Sequence, residues 1–248
     1  MSWQEVFDQI AADNIHGASF LVRKACEALK SIEDPIELDR AIARLPHLQP
    51  YMAPFFHLAA FLRGLGAANI AQSIALWLRS FEADNARVAS KCAKLIRGKS
   101  VLVHSASSVV FTALSEAKDV QVLLTESRPK REGEAMCKKL CEEGIESRLI
   151  IDAAAGYMME RVDMVLFGAD GVGDFGLVHK IGSYLIALAA KERGKDVIVL
   201  APPQKWWPSG FRLSPQPLRD TREISEQCEA YNYYFDITPH PLLTQIIK

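Results

Sequence analysis

From Gly98 onward the chain alternates short apolar runs with helical stretches. This alternation limits the fold more than any other feature. The runs are SVLVHS (100–105), VQVLLTE (120–126), SRLIID (147–152), MVLFGAD (164–170) and DVIVLAP (196–202). Between them lie SVVFTALSEAK, PKREGEAMCKKLCEEG, AAGYMMERV and LVHKIGSYLIALAAKERG. Each run suits a buried strand, and each intervening stretch has helical spacing and length. Strand, helix, strand predicts parallel βαβ units with right-handed crossovers. A sixth strand is predicted at YNYYFDITP (231–239). The segment PPQKWWPSGFRLSPQPLRD carries five of the 12 prolines and is predicted to be irregular.

Residues 1–97 have a different texture. VFDQIAADNI, GASFLVRKACEALKSI, PIELDRAIARL, MAPFFHLAAFLRGL and the long run from Ala68 to Ile96 repeat apolar residues every three or four positions. Asp34 followed by Pro35 predicts a helix start, a capping carboxylate and then a residue that needs no amide partner. Gly64 and Gly66 are expected to end a helix. The reading is therefore a helical domain, 1–97, and an open α/β sheet domain, 98–248.

Composition narrows the function classes. Lys+Arg number 29 and Asp+Glu 30, a net charge of −1. No global charge draws the protein to nucleic acid or to an anionic membrane. No apolar run of about 18 residues exists to cross a bilayer. The start, MSWQEVFDQIAAD, lacks the pattern of a secretory signal. The five cysteines (Cys26, Cys92, Cys137, Cys141, Cys228) contain no CxxC pair and are read as small buried hydrophobes in a reducing cytoplasm. No metal or cofactor is expected.

In open α/β sheets, ligands bind beyond the carboxyl ends of the strands. The first strand ends in His104-Ser105-Ala106-Ser107-Ser108 and runs into a helix. Ser107 or Ser108 can cap it, and its free amides can hold an anion. No GxGxxG or GxxxxGK[ST] occurs, which argues against dinucleotide and nucleoside-triphosphate sites. The second strand ends in Glu126-Ser127-Arg128-Pro129. Arg128 can clamp a phosphate or carboxylate, or order its loop through Glu126 or Asp152. Pro129 suits the first turn of the next helix. The fourth strand ends in Gly168-Ala169-Asp170, followed by Gly171, Gly173, Gly176 and His179-Lys180. A carboxylate at the end of a buried strand is costly unless paired or used. Asp170 can act as acid or base on a polar substrate, or pair with Lys180, which is placed at a helix start.

The combination VLVHSASSVVFTAL, TESRP, DAAAGYMM, VLFGADGV…HKIGSYLIALAAK and YNYYFDITPHPL resembles the initiation factor 2B α/β/δ subunit family. That family is related to methylthioribose-1-phosphate isomerase and ribose-1,5-bisphosphate isomerase. Shorter matches, NIHGASFLVRKACEAL and QPYMAPFFHLA, extend it through the first half. The resemblance implies an N-terminal all-helical domain followed by a Rossmann-like parallel-sheet domain. It also implies a ligand pocket between the two and dimerisation through the α/β domain. In the isomerases it implies a cysteine just after the first-strand histidine, working with the aspartate of GAD. Here the aspartate is Asp170 but the cysteine position is Ser105. An arginine expected before Gly17-Ala18 is His16, another is Gln49, and an expected Asn-Lys pair is His179-Lys180. Guanidiniums bind phosphate by charge-assisted bidentate bonds, so their loss weakens a phosphate site.

These departures favour a non-catalytic regulatory protein like the initiation factor 2B subunits, with a pocket for a sugar phosphate or nucleotide. The expected ligand-binding set is His16, Gly17, Ala18, Gln49, His104, Ser107, Ser108, Arg128, His179 and Lys180. The alternative is an aldose–ketose isomerase of a ribose-type 1-phosphate, with Asp170 and Ser105 as the reacting groups. A third reading is a ligand-binding protein that keeps only the fold. A homodimer is expected, with a translation initiation factor as the possible partner.

Overall fold

The computed structural model describes residues 1–63, 65 and 69–248. The expected helix stop at Gly64 and Gly66 lies outside the described residues. The first half forms five helices: α1 (Trp3–Ala12), α2 (Ala18–Lys30), α3 (Pro35–Leu48), α4 (Ala53–Arg63) and α5 (Ile70–Ile96). Ser2 and Glu5 form a capping box on α1, satisfying two amide donors reciprocally. Asp34 caps α3 through the Ile36 amide, with Pro35 at the first helical position, as the Asp-Pro pair predicts.

The second half forms a six-stranded parallel sheet and a small antiparallel one. The parallel strands are β1 (Lys99–Val103), β2 (Val120–Thr125), β3 (Ser147–Ile150), β4 (Met164–Phe167), β7 (Asp196–Leu200) and β9 (Gln245–Ile247). The antiparallel sheet contains β5 (Gly171–Gly173), β6 (Gly176–Lys180) and β8 (Phe235–Thr238). The crossovers carry α6 (Ser108–Ala117), α7 (Glu132–Glu142), the short α8 (Ala155–Met158) and α9 (Ser183–Glu192). The parallel order is β3-β2-β1-β4-β7-β9.

Strand periodicity explains how the sheet is covered. Val101, Val103, Val122, Leu124, Met164 and Leu166 point to one face, against α6, α7 and the last half of α5. Leu102, Leu123, Val165, Phe167, Val197 and Val199 point to the other, against α8 and α9. Both faces are buried, which is why these strands read as continuous apolar runs. Helix α5 serves two cores. Ile74, Trp77, Leu78 and Phe81 pack in the helical core. Val88, Ala89, Cys92, Ala93 and Ile96 pack on the sheet.

Four expectations fail. The strand placed at 231–239 shrinks to β8, which pairs antiparallel with β6 rather than joining the parallel sheet. The sixth parallel strand is β9, whose three residues are too few to show a period. The helix expected from Leu177 begins at Ser183, because Leu177 to Lys180 pair with Thr238 to Phe235. Pro129 lies three residues ahead of α7 rather than in its first turn. Cys141 and Cys228 are exposed, whereas Cys26 and Cys92 are core residues whose burial pushes their thiols up to about 12.

Candidate ligand-binding site

The sheet order reverses between β1 and β4. Strands β1, β2 and β3 step to one edge and β4, β7 and β9 to the other. Loops leaving the sheet at such a point diverge and leave a crevice. A cleft opens there. One side holds Ser105–Ser108 after β1, Ala169 and Asp170 after β4, and Lys205 after β7. The other holds Asp13–Phe20 and Gln49 from the helical half. Arg219 and Tyr234 close it from the irregular segment.

Two helix N-termini face this space. Ser107 caps α6, its Oγ accepting from the Val110 amide at 3.5 Å. Gly168 makes room for that cap, since a Cβ there would stand 2.5 Å from Ser107 Oγ. Helix α2 starts after Gly17 with no side-chain cap. Among the described residues, the amides of Ala18, Ser19, Ser108 and Val109 meet no protein acceptor. Exposed amide donors at a helix start, reinforced by its dipole, bind anions.

The end of β1 is arranged differently, with the His104 ring and the Ser105 amide and hydroxyl all engaged. Ser105 adopts φ 67°, a left-handed conformation uncommon outside glycine. Its amide donates to Ser127 Oγ at 2.8 Å. Its hydroxyl donates to Glu132 Oε1 at 2.8 Å, and Lys180 Nζ meets the same oxygen at 2.8 Å. His104 Nε2 donates to the Ile181 carbonyl at 2.8 Å. Its Nδ1 therefore accepts from Thr125 Oγ1, at 2.6 Å. Burial first, and the nearby His179 second, lower the His104 pKa to about 4, so the ring is neutral at pH 7.

At the end of β4, His179 Nε2 donates to the His104 carbonyl at 3.2 Å, and its Nδ1 faces Asp170 Oδ2 at 3.3 Å. The Asp170 carbonyl accepts from the Ala53 amide at 2.9 Å, tying the sheet to α4. Across the cleft, His16 Nδ1 meets Asp13 Oδ2 at 2.8 Å, and its ring stacks on Phe20 with centroids 4.2 Å apart. Burial pushes the Asp13 carboxyl up, but hydrogen bonds from the His16 and Ile15 amides prevail and hold it below its ordinary value.

The structure thus brings His16, Gly17, Ala18, Gln49, Ser105, Ser107, Ser108, Asp170, His179 and Lys180 to one cleft. Their local roles differ from several expectations. The Gln49 side chain is 2% exposed, and its Nε2 donates to the carbonyls of Ile10 at 2.8 Å and Asp13 at 2.9 Å. Both amide hydrogens are spent on ending α1, so none remains for a phosphate. Lys180 lies on β6 and pairs with Glu132, rather than starting a helix and pairing with Asp170. His104 lies behind the cleft wall and braces Thr125 and Ile181. Arg128 stands outside the cleft and donates to the Glu223 carbonyl at 2.9 Å. Asp152 is met by the Ser127 and Arg128 amides, not by the Arg128 guanidinium. No group of three or more His, Cys, Asp or Glu side chains among the described residues is placed to hold a metal ion.

Four charged cleft residues escaped the sequence reading: Asp13, Glu132, Lys205 and Arg219. Lys205 had a weak signal, following the fifth apolar run where ligands gather. Glu132 lies on a charged helix among many similar residues, and Arg219 in a proline-rich loop without periodicity.

Residues 66–248 match the model of the initiation factor 2 subunit family. This chain belongs to that family. An eIF-2B subunit 2-like translation initiation factor protein of Pyrococcus horikoshii is 32% identical over 98% of this chain and 93% of its own length. The ribose 1,5-bisphosphate isomerase of Archaeoglobus fulgidus is 29% identical over 98% of this chain and 87% of its own. The crystal structure of the Pyrococcus horikoshii translation initiation factor eIF-2B superposes with a TM-score of 0.90 at 31% identity, covering 99% of this chain and 94% of that one. The resemblance seen in the motifs and the α/β architecture are thereby established. Both kinds of relative align along nearly the whole chain, so membership alone does not separate a regulatory from an isomerase role.

Proposed function

We propose that this protein is a non-catalytic, regulatory member of the initiation factor 2B group that binds a phosphorylated small molecule, a sugar phosphate or nucleotide, in the cleft at the β1–β4 switch point. The observation that carries this reading is the state of Ser105. It occupies the position where the resemblance calls for a cysteine, and its hydroxyl donates to Glu132, which is itself paired with Lys180. A thiol has an ordinary pKa of about 8.5 and can exchange a proton near neutrality. A serine hydroxyl exchanges one poorly without a base arranged to take it. Glu132 accepts that hydrogen bond while neutralising Lys180, so it serves to hold Ser105 in place. The uncapped start of α2 and the open amides of α6 support anion binding without any reacting group. We further propose that the protein acts as a homodimer, with a translation initiation factor as its macromolecular partner.

One observation favours the isomerase reading. Asp170 lies at the carboxyl end of β4, inside the cleft and beside His179, where a carboxylate can move a proton between neighbouring carbons of an open-chain sugar. Proton NMR of the purified protein with ribose 1,5-bisphosphate and with methylthioribose 1-phosphate separates the two. The expected result is ligand line broadening without ketose product. Product above the protein-free control would replace the regulatory reading, and Asp170→Asn should then abolish turnover.

A further inference from the structure

Residues 217–232 cross from β7 to β8 with one 3-10 turn, Thr221–Glu223, as their regular structure. None of them belongs to a hydrophobic core, and Leu218, Ile224 and Tyr231 are exposed. Many of their hydrogen bonds are internal. The Arg219 amide donates to the Asn232 carbonyl at 2.9 Å, and Asn232 Nδ2 donates to the Asp220 carbonyl at 2.6 Å. The base of the segment is tied down separately. Gln216 Oε1 accepts from the Tyr234 and Phe235 amides at 3.0 and 2.9 Å, and the Tyr51 hydroxyl donates to the Ser214 carbonyl.

Among the described residues, Glu223 alone carries the hydrogen bonds and ion pairs that leave this stretch. Its carboxylate pairs with Lys130 and accepts from the Tyr234 hydroxyl. It also accepts from Asn232 Nδ2 at 2.9 Å, within the stretch. Its carbonyl accepts from Arg128 Nη2 at 2.9 Å. Burial pushes the Glu223 carboxyl up, but bonds from Lys130, Tyr234 and Asn232 prevail and hold it below its ordinary value. Lys130 and Arg128 belong to the loop between β2 and α7, so Glu223 ties the stretch to the sheet domain. Arg219, inside the stretch, and Tyr234, just after it, both line the cleft. The Arg219 guanidinium lies over the Tyr234 ring, 5.3 Å from its centroid, and Arg219 Nε is buried without a partner. A segment without apolar packing belongs to the low-stability end of a structure, and one held by a single polar cluster opens when that cluster releases.

We propose that residues 217–232 form a strap over the cleft and that Glu223 is its clasp. When the clasp releases, the strap lifts and carries Arg219 away from the cleft. A ligand in the cleft reaches Arg219 only while the strap is down, so binding and closure favour each other. This second part rests on the reading of the cleft as a site for phosphorylated small molecules.

Hydrogen exchange followed by mass spectrometry reads the strap directly. The proteins compared are wild type, Glu223→Ala, Lys130→Met, which removes only the cation of the clasp, and Glu226→Ala, an exposed carboxylate of the same strap outside the clasp. Each is measured alone and with AMP or ribose 5-phosphate, whose binding isothermal titration reports. Without ligand, peptides from 217–232 should exchange at least tenfold faster in Glu223→Ala and at least threefold faster in Lys130→Met. They should keep the wild-type rate in Glu226→Ala, and peptides from β1 and β4 should be unchanged throughout. Bound probe should slow strap exchange at least tenfold in wild type and should bind more weakly to Glu223→Ala. Wild-type strap exchange in Glu223→Ala and Lys130→Met overturns the clasp, as does acceleration that extends to β1 and β4. A bound probe that leaves strap exchange unchanged overturns closure over the ligand while leaving the cleft a phosphate site. If neither probe binds wild type, ligand-dependent closure falls together with the ligand-binding reading, and exchange in the ligand-free proteins still decides the clasp.

Discussion

Two corners of one cleft treat their polar groups in opposite ways. At the ends of β1, β2 and β3, His104, Ser105, Thr125, Ser127 and Asp152 bond one another, nearby amides or Glu132. At the α2 and α6 starts, on the other side, amides stand open. The first arrangement is what a fold needs, since buried donors and acceptors left unmet cost about 1–3 kcal/mol each. The second is what a binding site needs, since groups already satisfied have nothing to offer a ligand. Ser105 lies in the first corner although its sequence position suggested the second. Substitutions in the bonded corner should therefore unfold the protein, and substitutions on the open side should leave it folded and alter what it binds.

The largest effect is expected at Gly133, in the first turn of α7, where an added Cβ would run into the Thr125 carbonyl. Backbone atoms cannot move aside cheaply, so Gly133→Ala should lose about 3 kcal/mol or more in denaturant unfolding. A loss below about 1 kcal/mol would show that the β2–α7 corner yields, and would weaken the contrast. Acid should come next. Unfolded histidine takes up a proton below about pH 6.5, whereas folded His104 resists protonation down to about 4. Its contribution is thus complete above pH 6.5, falls as pH falls between those values, and levels off below 4. The size is on the order of 3 kcal/mol. Unfolding free energies of wild type and His104→Gln across that range should show a shallower slope in the variant.

A smaller change follows at Thr125, whose hydroxyl donates to His104 Nδ1. Thr125→Val keeps the shape and removes the donor, for an expected loss of about 1–3 kcal/mol by the same unfolding assay. The smallest effect is expected on the open side, at Gly17. Its φ of −74° suits any residue, and an added Cβ would meet Ala106 O at an ordinary 3.8 Å. Gly17→Ala should change stability by less than about 1 kcal/mol while narrowing the approach to the α2 amides. A melting scan paired with ribose 5-phosphate titration reads both. Substantial destabilisation here would erase the distinction between the corners.

For β1, β2, β4 and β7 the parallel sheet was legible because burial on both faces leaves a mark on neighbouring residues. Five apolar runs became β1, β2, β3, β4 and β7. The antiparallel sheet was not legible. Residues 176–180 carry apolar spacing that suits the start of a helix, and only pairing with Asp236 and Ile237, more than fifty residues away, makes them a strand. Strand β9 is too short to show a period and is defined by its place beside β7.

The sequence by itself determined the class of fold, the helix start at Asp34, and the stretches of chain that meet at the cleft. These follow from interactions between residues a few positions apart, which the order of residues displays directly. The tertiary structure alone decided which polar groups are committed and which are free. Gln49 ends α1, Ser105 and Lys180 share Glu132, and the first amides of α2 stay open. Each outcome depends on partners brought close from distant parts of the chain. A side chain's type states what it can bond, but only its folded surroundings decide whether that capacity is already used.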